Sequence, residues 1–158
     1  MDIFERIDDV IKGASTPEQG AELALEAILE ETATTTGTVH LIPRGGQMME
    51  LLAARDIPPG VLEKVRVIPI GKGMAGVAVE KRQPVTTCNL QQDDAGGVIR
   101  QGARATGAQG ALAVPIIVDD EAIGALGVAT REPRDFTRAE IDAILAMASA
   151  LGRALRAG

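Results

Sequence analysis

The sequence predicts an α+β domain in which a central antiparallel sheet carries the N- and C-terminal helices on one face. Three observations lead there. Helix-start signals followed by apolar residues at helical spacing stand near both ends, in STPEQGAELALEAILEE and DFTRAEIDAILAMASALGRALR. Between them, ALAVPIIVDDEAIGALGVAT reads as two apolar strands joined by Asp119-Asp120-Glu121, a hairpin and therefore an antiparallel pair. Downstream of the middle there are no repeated strand–helix–strand units of the kind a parallel sheet needs. A chain of 158 residues fits one domain with room for a substantial core, and neither an internal repeat nor a linker divides it. We therefore expect a single domain over 1–158, with 1–14 as an N-terminal helical extension and 16–155 as the core.

The elements follow in order. MDIFERIDDVIKG predicts a short helix with Ile3, Phe4, Ile7 and Ile11 on one face, ended at Gly13. Thr16 is placed as N-cap of the next helix, with Pro17 at its first position and Gln19 at its third. Ala21, Ala24, Leu25, Ile28 and Leu29 form its apolar face. Glu18, Glu22, Glu26 and Glu30 run beside that face as an i, i+4 acidic ladder. It reads as a solvated surface, or else as a dock for a basic partner or the arginines of another helix. TGTVHLIPRGGQMMELLAAR predicts two strands around an Arg44-Gly45-Gly46 turn. PPGVLEKV is a short helical turn, and VRVIPI a strand or extended edge, because Pro69 cannot donate from a central ladder position. MAGVAVEKRQ makes about two helical turns before Pro84 stops it, and PVTTC is a short strand. The 22 residues NLQQDDAGGVIRQGARATGAQG hold five glycines and few apolar anchors. They read as a mobile loop or lid with a weak helix around Val98–Arg104. The last helix carries a capping box, Thr137 with Glu140, bracketed by Phe136 and Ile141 in staple positions. Its apolar stripe is Ile141, Ile144, Leu145, Ala148, Leu151 and Leu155, and Arg153 and Arg156 suit the negative end of its dipole.

The segment VRVIPIGKGMAG contains a literal G-x-G-x-x-G at Gly71, Gly73 and Gly76 after a β-branched run. A dinucleotide-binding turn would need a crossover helix beyond the third glycine, and Pro84 lies only eight residues after Gly76, which leaves that helix little room. The acidic residue expected about 20 positions on would be Asp93 or Asp94, inside a polar loop rather than at a strand end. Nor does Lys72 stand in the G-K-[ST] order that brings a lysine and a hydroxyl to phosphate and magnesium. The glycines are therefore assigned to the backbone: Gly71 and Gly73 permit a tight turn, and Gly76 lets a short helix pack closely.

Composition narrows the function. Aromatic residues are 1% of the chain, Phe4 and Phe136 alone, so the core is built from aliphatics and a pocket would lack stacking rings. A net charge of −6 disfavours nucleic acid and anionic membranes. Cys88 is the only cysteine, which rules out an intrachain disulfide. The acidic, amphipathic N-terminus is unlike a signal peptide, and ALAVPIIV is far too short to span a bilayer. The expectation is a cytoplasmic protein.

With these elements in place, the chain resembles a GAF domain, a ligand-binding sensory module. The matching residues are IPIGKGMAGVAVEKRQPVTT, similar to the family's glycine-rich turn, short helix and following strand. VPIIVDDEAIGALGVAT is similar to its closing hairpin and FTRAEIDAILAMASALGRAL to its terminal helix. The resemblance covers about Thr16 to Leu155 and rests on the combination and order of elements. It implies loops and short helices forming a small-molecule pocket on the sheet face away from the terminal helices, a GAF/PAS-like arrangement, and a homodimer through those helices. Free methionine-(R)-sulfoxide reductases of this family need a nucleophilic cysteine with resolving partners and acidic residues on the last strand. Here there is one cysteine, and Gly127 and Ala129 occupy the acidic positions. The cyclic-nucleotide signature is present only in its tail, Phe136 and Glu140, which capping and stapling already explain. A bilin site would need aromatics and a Cys-His pair, whereas Asn89 follows Cys88.

The candidate ligand-binding residues are Cys88, Asn89, Asp93, Arg100 and Arg104. Cys88 ends the short strand that the resemblance places beside the pocket; it reads as a responsive thiol or as a small buried hydrophobe. Asn89, Asp93, Arg100 and Arg104 lie in the loop and suit an acidic or zwitterionic ligand, or simply a polar surface. His40, the only histidine, reads as a packed or edge imidazole rather than a metal ligand. We expect neither catalytic residues, metal nor cofactor. The expected function is a non-catalytic sensor of an unknown small molecule, working as a homodimer with a signalling partner protein. The alternative is a dimeric interaction scaffold with a vestigial pocket.

Overall fold

The computed structural model describes residues 1–88 and 107–157. Their order is α1 (Ile3–Lys12), α2 (Pro17–Thr32), β1 (Thr36–Leu41), β2 (Met48–Arg55), α3 (Pro59–Val65), β3 (Val67–Pro69), α4 (Gly73–Lys81), β4 (Val85–Thr87), β5 (Ala111–Val118), β6 (Glu121–Ala129) and α5 (Arg138–Ala157). The six strands form one antiparallel sheet in the order β3-β2-β1-β6-β5-β4. The α1, α2 and α5 helices pack on one face, and α4 covers part of the other. The α+β, one-face arrangement expected from the sequence is the one observed. Both edges are three-residue strands, too short to template further pairing, and Pro69 lies at the end of β3 as the missing donor requires.

The main core lies between the sheet and the long helices. Leu25 and Ile28 of α2, Ile144 and Leu151 of α5, and Leu112, Val114, Ile116 and Leu126 of the β5–β6 pair are all essentially inaccessible. Burying each such side chain contributes about 1.5–3 kcal/mol. Helix α5 crosses β5 at Gly152, where a Cβ would come within 2.5 Å of the Ile116 Cγ2 and 2.7 Å of the Val118 Cγ2. The absence of a side chain there sets how closely the terminal helix lies on the sheet.

The caps behave as their chemistry dictates. Thr16 accepts from the Gln19 N–H, and Thr137 and Glu140 close a reciprocal box. The first helix has a box as well, Asp2 with Glu5, a D-x-x-E signal that the sequence reading passed over. That reading also placed Phe4 on the buried face of α1. Phe4 is 42% exposed, and Val10 packs inward with Ile3, Ile7 and Ile11 instead. The acidic ladder on α2 is answered within the chain: Glu22 and Glu26 pair with Arg55 of β2, and Glu30 with Arg6 of α1. The hairpin turn is tighter than three residues. Asp119 and Asp120 alone make it, both at positive φ, which matches the twist of the flanking strands.

Candidate functional site

The glycine-rich segment builds one end of the site. Beyond Pro69 the chain reverses through Gly71 at φ +91° and Gly73 at φ +69°, conformations that a Cβ penalises. The Lys72 N–H donates to the Pro69 carbonyl (3.1 Å), and the Gly71 N–H donates to the Gly76 carbonyl (2.9 Å). A Cβ on Gly76 would lie 2.6 Å from the Pro69 carbonyl oxygen, so only glycine lets α4 rest on its own turn. Turn and close packing are the roles assigned to these glycines from the sequence. Lys72 is the N-cap residue of α4 and supplies no side-chain hydrogen bond. Among the described residues, the N–H groups of Gly73, Met74 and Ala75 have no acceptor.

Those three residues open onto a hollow of about 500 Å³. Its floor is Ala111 and Ala113 of β5 and Gly127 and Ala129 of β6, which face one another across the ladder. Four neighbouring positions bearing at most a methyl group leave the volume that larger side chains would fill. Thr36, Thr38 and His40 of β1 form one wall, and Lys64, Val65 and Ile68 line another. Two lysines, Lys64 and Lys72, line the hollow, and no aspartate or glutamate does among the described residues. Thr36 is already committed, since its hydroxyl donates to Asp56 (3.1 Å).

His40 is 1% exposed, and its Nε2 stands 2.7 Å from the Val65 carbonyl oxygen. A carbonyl only accepts, so Nε2 carries the proton and the ring, when neutral, presents Nδ1 as a bare acceptor. That Nδ1 is buried and has no hydrogen-bond partner. Burial pushes the His40 pKa below its ordinary 6.5, and the Val65 hydrogen bond opposes the shift without cancelling it. The packed imidazole expected from the sequence is present. A pH dependence follows. The unfolded chain takes up a proton as pH falls past 6.5 while folded His40 resists it. The stability tied to neutral His40 is therefore complete above 6.5 and is lost as pH drops from 6.5 toward the lower folded pKa. Urea unfolding at pH 7.5, 6.5 and 5.5 should show a decline steepening to at most about 1.4 kcal/mol per pH unit for this one proton. The His40 ring resonances, unambiguous because the chain has one histidine, should titrate below 6.5. A flat stability profile, or a ring that titrates at 6.5 or above, contradicts this.

A family model described as a GAF domain matches residues 14–156. The chain belongs to the GAF domain family. The fold agrees with solved structures. The GAF domain from a phosphoenolpyruvate-protein phosphotransferase of Coxiella burnetii is similar at TM-score 0.79 and 18% identity, covering 98% of this chain and 91% of that one. The free methionine-R-sulfoxide reductase from Neisseria meningitidis, solved with its substrate, is similar at TM-score 0.77 and 16% identity, over 98% and 87% of the two chains. A methyl-accepting chemotaxis protein, residues 122 to 287, is similar at TM-score 0.73 and 17% identity, over 96% and 95%. At these identities the likeness is one of fold. No curated protein sequence matches the chain.

In this GAF domain the residues singled out from the sequence fall apart into two groups. Cys88 follows β4 and is exposed, so the alternative of a buried small hydrophobe does not hold. Its carbonyl accepts from the Arg134 N–H (3.0 Å), and it is not among the described residues lining the hollow. Asn89, Asp93, Arg100 and Arg104, with the helix expected around 98–104, lie outside the described residues. Gly127 and Ala129, where the resemblance expects substrate-holding acids, do lie on the floor of the hollow. The sequence reading missed Lys64, Thr38 and the start of α4. For the last, one signal was present: the residues before GMAGVAVEK include no Ser, Thr, Asp or Asn to cap it. Among the described residues, no helix is long and apolar enough to cross a membrane.

Proposed function

We propose that this GAF domain is a non-catalytic sensory module that binds a small molecule in the hollow and relays the event through its terminal helices. One observation carries the reading. A hollow of about 500 Å³, floored by alanine and glycine, gathers several polar groups that the fold leaves unsatisfied. Sites for small molecules are of this size and composition, largely apolar with a few convergent polar groups. The similarity in fold to a domain of a chemotaxis protein and to one of a phosphotransferase supports a regulatory setting. An enzymatic role of the sulfoxide-reductase type finds less support, because Gly127 and Ala129 offer that chemistry no carboxylate.

The fold supplies a route for the relay. Strand β5 alternates, with Ala111 and Ala113 toward the hollow and Leu112, Val114 and Ile116 toward the helices. Gly152 brings α5 directly onto Ile116 and Val118, so a small displacement of β5 is passed to α5 rather than absorbed. In a homodimer through the terminal helices, a ligand favouring one position of β5 shifts the population of helix arrangements seen by a partner protein. A thermal-shift screen of a metabolite panel tests the reading, since a ligand bound by the folded state raises the midpoint by mass action. We expect at least one dose-dependent rise. A panel of nucleotides, amino acids, hydroxy acids and oxo acids that leaves the midpoint unmoved, from a protein that is dimeric by light scattering, would favour the scaffold instead.

A further inference from the structure

One end of the hollow is formed by Ala108 and Ala111 at the start of β5 and by Ala129 at the end of β6, with Met74 of α4 packed against them. Between the first two alanines, Gly110 leaves no slack toward the segment that joins β6 to α5. A Cβ on Gly110 would lie 2.8 Å from the Arg134 Cβ, from the Arg134 nitrogen and from the Thr130 Oγ1. Gly110 is also bonded to that segment through both of its backbone polar groups. Its N–H donates to the Glu132 carbonyl (3.1 Å), and its carbonyl accepts the Thr130 N–H (2.8 Å). The Arg134 N–H in turn holds the Cys88 carbonyl just beyond β4 (3.0 Å). Close-packed atoms with no gap between them move together, so the main chain of Arg134 follows this end of the hollow.

The side chain of Arg134 serves the helix layer instead. Its guanidinium donates to the Thr32 and Ala33 carbonyls at the end of α2 (3.1 and 3.0 Å) and pairs with Glu140 in the first turn of α5. A planar fork bonded to three acceptors has little freedom to turn independently of its backbone. We propose that Arg134 is a positioning residue that passes a displacement of the Ala108, Ala111 and Ala129 end of the hollow to two helix ends at once, the C-terminus of α2 and the N-terminus of α5. Its use as a relay rests on the reading of the hollow as a ligand site; the mechanical path does not. The path is separate from the contact at Gly152, which meets β5 at its other end, on Ile116 and Val118. Coupling carried by contiguous contacts through Arg134 therefore moves the first turn of α5 rather than the surroundings of Gly152.

The test removes the side chain that presses on this end of the hollow, so it needs no ligand. Met74→Ala, in the full-length ¹⁵N-labelled protein, should shift the NMR amide resonances of Gly110 and Arg134, and beyond them those of Ala33, Thr34 and residues 137–141. Ala33 and Thr34 follow the two carbonyls that Arg134 bonds, so their nitrogens feel any change in those bonds. Glu140→Gln keeps an oxygen for the Thr137 N–H and removes the charge that pairs with Arg134. In that background the response of residues 137–141 to Met74→Ala should shrink about threefold or more, while that of Ala33 and Thr34 persists. Shifts that stop at Gly110, that centre on Gly152, or that reach α5 equally with Glu140→Gln overturn the proposal. A metabolite that raises the unfolding midpoint yet leaves Gly110, Arg134 and both helix ends unmoved also overturns it, with the ligand reading intact. A silent metabolite panel, with the Met74→Ala shifts arriving as expected, supports the path and removes the ligand reading. If the panel is silent and Met74→Ala does not reach the helix ends, both fall.

Discussion

Replacing Gly124 with alanine is expected to cost about 3 kcal/mol or more, a large part of the 5–15 kcal/mol that holds a domain of this kind together. Gly124 is in β6, paired with Leu41 of β1 on one side and Ile116 of β5 on the other. A Cβ there would overlap the His40 carbonyl oxygen and lie 3.1 Å from the Leu41 Cα. Those are backbone atoms of the adjoining strand, so no rotamer change relieves the overlap and β1 and β6 must part locally. The register is already irregular there: Ile116 opposes Gly124, but Ile117 opposes Ala122, leaving Ile123 as the extra residue. A wider gap would also break the bond from the Ile42 N–H to the Ile123 carbonyl (2.8 Å). Because His40 is on the displaced stretch, its ring resonances should move as well. Gly60→Ala is the control, since a Cβ there meets nothing within 4 Å; it should be close to neutral. Urea midpoints for the two variants within about 1 kcal/mol of each other would show that the strands give way more easily than this.

What the sequence disclosed and what it hid divide along the line between local and cross-chain causes. Thr16, Thr137 and Glu140 act on N–H groups three residues away, and each is found where its spacing puts it. Pro69 and Pro84 limit their own strand and helix, and Asp119-Asp120 forms its turn from two residues that tolerate positive φ. Where the cause lies in another element, the reading failed or stayed open. Phe4 fits an amphipathic pattern as well as Val10 does, and only the placement of α1 against α2 and α5 decides between them. The partners of the acidic ladder, Arg55 and Arg6, are 29 and 24 residues from Glu26 and Glu30.

The hollow is hidden for the same reason. Ala111, Ala113, Gly127 and Ala129 become a floor only once β5 and β6 pair in one register, and Lys64 reaches it from an element about 50 residues away. In sequence these are unremarkable small residues and a surface lysine. The G-K-G-M-A-G segment shows the limit most clearly. Reading it against known phosphate motifs assigned its glycines to the turn and the close packing that they have in the fold, but those motifs contain no rule for a helix start that is simply left uncapped beside a cavity.

Arg134→Ala should destabilise the protein by about 2–4 kcal/mol, although Arg134 lines no part of the hollow among the described residues and meets the main core only at Phe136. Its guanidinium bonds the Thr32 and Ala33 carbonyls (3.1 and 3.0 Å), where α2 ends without a glycine, and lies 4.4 Å from the Phe136 ring centroid. It also pairs with Glu140, whose other oxygen accepts the Thr137 N–H that starts α5. One side chain, 22% exposed, thus closes the C-terminus of one core helix and the N-terminus of another. Its own N–H holds the Cys88 carbonyl (3.0 Å), a bond that alanine keeps, so the loss should report the side chain alone. Arg134→Lys should recover only part of it, because a single ammonium cannot span two carbonyls and a carboxylate as the planar fork does. The acid limb gives a second readout. The Thr137 N–H first, and then Arg134, hold the Glu140 pKa below its ordinary 4.5. The stability this confers is present above 4.5 and disappears as pH falls through the folded value. Without Arg134 the Glu140 pKa should rise back toward 4.5, though not reach it while Thr137 remains, and carboxylate-resolved NMR would follow it. An Arg134→Ala protein that unfolds at the parent midpoint, with an unmoved Glu140, would mean that water caps the end of α2 as well as arginine does.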